Sequence, residues 1–214
     1  MSGRLREMSK LISALTRSQL QVGIFSATHL ILGGVYFLQD LNFEFVIYIG
    51  VIVAVFVLLF GTLRVTKFPT YILWLISIWG LLHILGGSVS TPDGVLFAYR
   101  IYPFVDYGGE FYILKYDQLV HAYLYGVVTL VFLHILTKTF LAKGPVSLMF
   151  LTAIMASMGV SAMNEIMEFL IAISLERNGV GGYENAMLDL IFNFLGAVLA
   201  IAGLLLYRKL KKGS

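Results

Sequence analysis

With 214 residues, of which 59% are hydrophobic and only 13% charged, the chain carries roughly half the charged share of an ordinary water-soluble domain. A soluble fold could not bury so much apolar surface, and a formal net charge of +3 gives no support to a nucleic-acid-binding protein. The absence of cysteine excludes disulfides and thiolate metal ligands, so any metal would need nitrogen and oxygen ligands.

Apolar segments near the length of about 20 residues that crosses a bilayer follow one another along the chain. They are Leu20–Leu38, Glu44–Gly61, Thr70–Gly86, Asp117–Leu136, Val146–Ile173 and Tyr183–Tyr207. The first is expected to be retained, because the basic N-terminal segment lacks the small-residue cleavage site of a secretory signal. We therefore predict an all-α protein: a polytopic bundle of six transmembrane helices, forming a single integral membrane domain over residues 1–214.

The longest connection between these segments runs from Gly87 to Tyr116. Apolar and polar residues alternate in 95–104 and again in 110–116, and Asp106-Tyr107-Gly108-Gly109 stands between the two stretches. Alternation of this kind, interrupted by turn residues, predicts a short β-hairpin between helices 3 and 4 that lies over one face of the membrane.

Basic residues are divided unevenly between the two sides of the predicted membrane. If the N-terminus is cytoplasmic, twelve of the fifteen Lys and Arg residues lie inside, and Glu7 is the only one of twelve acidic residues there. Cytoplasmic loops are enriched in Lys and Arg, so this count predicts cytoplasmic termini and an extracytoplasmic hairpin. We expect a multi-pass protein of the cell membrane, inner or plasma, whose basic termini contact anionic membrane lipids.

Ionisable side chains within the apolar segments are the strongest indication of function, because a charge at membrane depth costs at least about 2.5–3.5 kcal/mol. The candidates are His83, Asp117, His121, Glu165, Glu168 and Asp189. Counted at 1.5 Å per residue, all except Asp117, which begins its helix, lie roughly 5–12 Å from the outer end of a helix. We predict that they converge on one site in the outer-leaflet half of the bundle, supported by Asn164, Asn185 and Asn193.

The chemistry of this set leaves three functions open. Glu165 and Glu168 lie one helical turn apart and repel each other unless a proton, a cation or a metal intervenes. All six candidates could ligate a divalent metal, Zn, Fe or Mn, and Glu165 and Glu168 could be catalytic in an intramembrane enzyme that directs water at a lipid or prenyl-type substrate. The same carboxylates could instead serve a proton- or cation-coupled binding or transport protein, or a structural polar core.

Other unusual residues in the membrane segments have structural interpretations. His29 and His134 are each interpreted as structural histidines with satisfied hydrogen bonds. Gly86-Gly87 and Gly179–Gly182 are interpreted as loop formers, and Gly196 as a site of close helix packing.

The polar residues follow an ordered series along the chain: His83-x-x-Gly86-Gly87, Tyr116-Asp117-x-x-x-His121, Glu165-x-x-Glu168 and Asp189-x-x-x-Asn193-x-x-Gly196-Ala197. This series resembles the YjdF-like family of bacterial and archaeal inner-membrane proteins, which is associated with the VanZ-like group. The resemblance covers roughly residues 70–200, and Tyr183-Glu184-Asn185 stands where the family has a Gly-Asp-x-x-Asp-like stretch. It implies the helical fold and the location of a polar site, and it supplies no reaction.

Overall fold

The computed structural model of the chain describes residues 15–92, 94–176 and 178–213. Within these ranges six helices are long and apolar enough to cross a membrane. They are α1 (Arg17–Gln39), α2 (Phe43–Thr66), α3 (Thr70–Ser88), α4 (Tyr116–His134, continued by the π-helical turn Ile135–Thr139), α5 (Val146–Ser174) and α6 (Tyr183–Gly213). Each predicted segment falls inside one of these helices, which confirms the six-helix fold.

Four of the helices begin where the sequence provides a capping residue or a proline. At the start of α1 the Thr16 side chain accepts a hydrogen bond from the Gln19 backbone N–H, and the Gln19 side chain accepts one from the Thr16 N–H. This reciprocal capping box satisfies two amide groups that the first turn leaves unpaired. Asn42 caps α2 with its side chain, while α3 and α5 directly follow Pro69 and Pro145, residues that a helix interior excludes.

The connection between α3 and α4 contains two short antiparallel strand pairs. The strand β1 (Ser90–Thr91) pairs with β2 (Gly94–Val95), and β3 (Arg100–Asp106) pairs with β4 (Tyr112–Lys115). The second pair is the predicted hairpin, although its first strand begins later than the alternating pattern indicated.

Residues 96–98 form a 3₁₀ turn, so the predicted strand over 95–104 is wrong in this part. The turn lays the Phe97 ring against Gly86, at a place where a Cβ atom would overlap the ring. Gly86 and Gly87 belong to the last turn of α3, and Gly87 meets the Phe45 ring in the same way. The interpretation of this glycine pair as a loop former is therefore wrong, because its function is to admit two aromatic rings close to the α3 backbone.

The outer surface of the bundle is apolar. Ile31, Val57 and Phe169, on three different helices, are each more than 60% exposed. In water such extended apolar exposure is unfavourable, whereas a bilayer contacts it without cost and requires only that backbone groups be paired inside the helices. The composition of this surface fits a multi-pass membrane protein.

Helices α4 and α6 pack unusually close together. A Cβ atom at Gly196 would overlap the carbonyl group of Ala122, and one at Gly126 would press on the Gly196 carbonyl oxygen. Small residues at such a crossing let two backbones approach each other. The interpretation of Gly196 as a close-packing site is confirmed, and this contact brings the polar faces of α4 and α6 together.

Candidate functional site

Three of the predicted site residues meet at the end of the bundle where α3 and α5 end and α4 and α6 begin. Asp117 and His121 lie one turn apart on α4, with 3.5 Å between the carboxylate Oδ1 and the imidazole Nε2. Asp189 reaches them from α6 and is fully buried. One potential ligand atom from each of these residues lies within 4.8 Å of the others, and among the described residues they form the only such group of three.

The hydrogen bonds of His121 determine which of its nitrogen atoms faces the carboxylates. Its Nδ1 lies 3.1 Å from Oδ1 of Asn193, and the Nδ2 group of Asn193 donates to the Ser161 hydroxyl at 2.7 Å. The Asn193 oxygen can only accept, so the Nδ1 of His121 carries a hydrogen. The Nε2 that faces Asp117 then presents a lone pair unless it binds a proton or a metal. A histidine that ligates a metal is commonly held through its other nitrogen in this way.

Asp189 is held from one side only. Its Oδ2 accepts a hydrogen bond of 2.6 Å from Asn185, whose own oxygen accepts one of 2.7 Å from the Lys115 ammonium group. The other carboxylate oxygen, Oδ1, is buried and has no hydrogen-bond partner. A buried polar atom without a partner costs free energy, so this oxygen is available for a ligand that the described residues do not provide.

The two glutamates of α5 lie beside this group. Glu168 accepts a hydrogen bond of 2.7 Å from the side chain of Asn164, which lies one turn before it. Both carboxylate oxygens of Glu165 are buried without a hydrogen-bond partner. The carboxylates of Asp117, Glu165, Glu168 and Asp189 all lie close enough to His121 for their charges to act on its imidazole.

His83 lies in an aromatic surrounding. Its ring centroid is 5.1–6.0 Å from those of Phe45, Tyr48, Trp79 and Phe97, and its Nε2 is buried without a hydrogen-bond partner. His83 comes from α3, opposite His121 of α4, and the two imidazoles interact electrostatically.

A cavity of about 80 Å³ opens between these residues. It has room for several water molecules or a hydrated ion. The predicted site residues that line it are His83, Asp117, His121, Glu168 and Asn185. The loop between α5 and α6 contributes Gly179, Val180 and Gly181, so the cavity lies between the helix ends and this loop.

Glu44 and Tyr48 of α2 also line the cavity, and the sequence analysis did not select them. Glu44 is buried, and its carboxylate accepts a hydrogen bond of 2.6 Å from the Gly179 backbone N–H. It thereby fastens the loop over the cavity. The signal was available in the sequence, because Glu44 is the only acidic residue in its apolar segment and lies at the end of the bundle that holds the other candidates.

The predicted ligand set is larger than the group that the structure assembles. His83, Glu165 and Glu168 do not belong to the group of atoms within 4.8 Å. Of the supporting residues, Asn193 holds His121, Asn185 holds Asp189 and Asn164 holds Glu168.

The two structural histidines differ in their hydrogen bonding. His134 donates from Nε2 to the Thr66 carbonyl oxygen at 2.8 Å, as expected of a structural histidine. Neither ring nitrogen of His29 has a hydrogen-bond partner, so the prediction of a satisfied histidine is wrong there. His29 packs against aromatic residues, with the Phe25 ring centroid at 5.1 Å, because its neighbours in the middle of the bundle are apolar.

Comparison with known protein families places the chain in a family of membrane proteins. The family described as predicted membrane protein (DUF2238) matches residues 19–210, which span all six helices. The resemblance to YjdF-like proteins is consistent with this match. Neither the curated proteins nor the solved structures provide a significant match.

Proposed function

We propose that the chain, which belongs to the DUF2238 family of predicted membrane proteins, binds a divalent metal in the membrane and uses it to hydrolyse a lipid or prenyl-type substrate. Asp117, His121 and Asp189 are the proposed ligands. The observation that carries this proposal is the group of three ligand atoms: the His121 Nε2 lies 3.5 Å from the Asp117 carboxylate, and beside them the Oδ1 of Asp189 is buried without a hydrogen-bond partner. One imidazole and two carboxylates suit Zn, Fe or Mn.

The charge balance of the site supports a cation. Four carboxylates act on His121, His83 is the other imidazole at the cavity, and the nearby Lys115 ammonium group is engaged by Asn185. Uncompensated negative charge at membrane depth is costly, so the site needs protons or a cation. A divalent ion would provide two positive charges beside the buried Asp189 oxygen that lacks a partner.

A bound metal would lower the pKa of a coordinated water and so supply a nucleophile at neutral pH. Glu168 lines the same cavity and is our candidate for the general base. It would take the proton as the water oxygen bonds to a carbonyl or phosphoryl centre of the substrate, and would return that proton to the substrate oxygen whose bond to this centre breaks. Glu165, one helical turn away, is the second candidate catalytic carboxylate.

The setting of the site completes the proposal. We propose one integral membrane domain in the inner or plasma membrane, with cytoplasmic termini and the site in the outer-leaflet half, open to substrates from that leaflet. The bias of Lys and Arg toward one side of the helices supports this orientation. A relationship to the VanZ-like group stays a prediction.

Metal analysis tests the proposal directly. Protein purified in mild detergent without chelators is expected to hold about one equivalent of a divalent metal. Asp189→Asn and His121→Ala should each remove most of it while the protein still inserts, whereas Glu168→Gln should keep the metal and lose hydrolysis. Glu184→Gln, at an exposed carboxylate on the same helix as Asp189, is the matched control. Wild-type protein without metal, or metal retained by both ligand variants, would overturn the proposal.

A second candidate function is proton- or cation-coupled binding or transport. Glu165 favours it, because a buried carboxylate without hydrogen-bond partners inside a membrane helix is typical of proton-carrying sites. In liposomes this function predicts a proton or cation flux that Glu165→Gln abolishes. Protein with neither metal nor flux would leave the structural polar core as the explanation.

A further inference from the structure

A second polar pocket lies at the opposite end of the bundle, where α2 ends and α4 passes into its π-helical turn. The cavity measures about 370 Å³ and is lined by Val65, Thr66, Lys67, His134, Lys138 and Thr139. Glu44, at the candidate metal centre, and Lys67 are separated by nearly the whole of α2, which is about 35 Å at 1.5 Å per residue. This pocket is therefore separate from the metal site.

His134 holds the two sides of the pocket together. The Thr66 carbonyl oxygen can only accept, so the Nε2 of His134 donates the hydrogen bond of 2.8 Å between them. Thr66 ends α2, and the last carbonyl groups of a helix have no partner within it. The bond therefore satisfies a helix end and also brings Lys138, one turn beyond His134, to the same pocket as Lys67.

Lys67 adopts a backbone conformation that lysine disfavours. Its φ of 48° and ψ of 43° are left-handed, and its N–H donates to the Leu63 carbonyl oxygen at the end of α2. Glycine, or less often asparagine, usually occupies this position because a Cβ atom makes the conformation unfavourable. This backbone conformation ends α2 at Lys67, which lines the pocket.

The other side of the pocket also departs from regular structure. Lys138 and Thr139 lie in the π-helical turn, a distortion that is frequent at functional sites. The Thr139 hydroxyl oxygen is buried and has no hydrogen-bond partner. A hydroxyl group can donate to an anion, so the pocket offers an unpaired donor beside two ammonium groups.

Among the residues that the structure describes, no carboxylate balances the two lysines. Asp and Glu are absent from the pocket lining, and neither Lys67 nor Lys138 forms an ion pair with a described residue. We propose that this basic pocket binds a phosphate group through Lys67, Lys138 and the Thr139 hydroxyl. A membrane end lined with lysines attracts anionic lipid headgroups, and a phosphate-bearing solute would present the same chemistry.

Thermal unfolding of the full chain in a neutral detergent tests this proposal, with dioctanoyl phosphatidylglycerol or inorganic phosphate as the added anion. We expect the anion that binds to raise the Tm of the wild-type protein by roughly 3–5 °C, because it binds only the folded state. Lys138→Gln and Lys67→Gly should each lose more than half of this increase. Without added anion Lys67→Gly should unfold no earlier than wild type, since glycine relieves the left-handed strain.

Lys143→Gln is the matched control, because Lys143 follows the same helix and lies outside the pocket lining. It should keep the full increase in Tm. If phosphatidylglycerol alone raises the Tm, the ligand is an anionic lipid headgroup. If inorganic phosphate also raises it, the pocket recognises the phosphate group without the rest of the lipid. The proposal is overturned if neither anion raises the Tm, if zwitterionic dioctanoyl phosphatidylcholine raises it equally, or if Lys143→Gln loses as much as Lys138→Gln.

Discussion

Replacement of Asn193 tests whether His121 is prepared as a metal ligand. Asn193 is fully buried, accepts from Nδ1 of His121 at 3.1 Å and donates to the Ser161 hydroxyl at 2.7 Å. Asn193→Leu removes both bonds at similar volume and leaves a buried N–H unpaired. We expect the free energy of unfolding to fall by about 1–3 kcal/mol, the usual cost of such a group.

The loss of the Asn193 oxygen should also weaken metal binding, because His121 is then no longer fixed with Nε2 toward the carboxylates. Loss of such a supporting bond typically costs 10–100-fold in affinity, which is about 1.4–2.8 kcal/mol. Asn193→Asp keeps an acceptor for the imidazole and should retain the metal. Competition titration with a chelating dye measures the affinity, and thermal unfolding in detergent measures the stability.

Two outcomes would refute this reasoning. If Asn193→Leu binds metal as tightly as wild type, His121 is not a ligand held through Nδ1. If Asn193→Asp loses metal to the same extent as Asn193→Leu, the hydrogen-bond acceptor is not the property that matters.

Three further predictions follow from the packing and the orientation. Gly196→Ala should destabilise the protein by about 1–3 kcal/mol in thermal unfolding, because the added Cβ atom meets the backbone of α4. Gly203→Ala, on the same helix but in open space, should be neutral or stabilising. Equal effects of the two substitutions would contradict the close α4–α6 contact. Glu44→Leu removes the acceptor that fastens the loop between α5 and α6, so amide hydrogen exchange in that loop should speed up, and unchanged exchange would show that the bond does not restrain it. Reporter fusions at Lys143 should report a cytoplasmic location and those at Gly94 an extracytoplasmic one; the reverse would refute the predicted orientation.

The positions of the helices and the layer of polar residues could both be read from the sequence. Hydropathy locates a membrane helix well because a bilayer permits few alternatives to a continuous apolar helix. Because successive helices run in opposite directions, the position of a residue along its helix also gives its depth in the membrane. His83 near the end of α3 and Asp189 near the start of α6 therefore lie at the same end of the bundle, whatever the lateral packing.

Which residues form the candidate metal centre could be learned only from the tertiary structure. Which residues approach within 4.8 Å is decided by the rotation of each helix and by the close contact at Gly196, which brings α6 beside α4. Periodicity gives the faces of single helices and says nothing about which faces meet. For this reason Asp117, His121 and Asp189 form a group, while Glu165 and Glu168 lie beside it.

Predictions from the local sequence pattern missed two features that depend on contacts between distant residues. The alternation of residues near Phe97 predicted a strand, but the ring packs on Gly86 and the chain turns to bring it there. Glu44 was counted as the start of a helix, and only the folded chain brings the Gly179 N–H to its carboxylate, 135 residues away.

The sequence by itself determined the helices and the end of the bundle at which the polar groups gather. The tertiary structure decided which of these groups touch, because contacts between distant residues depend on helix rotation and close packing that no local period encodes.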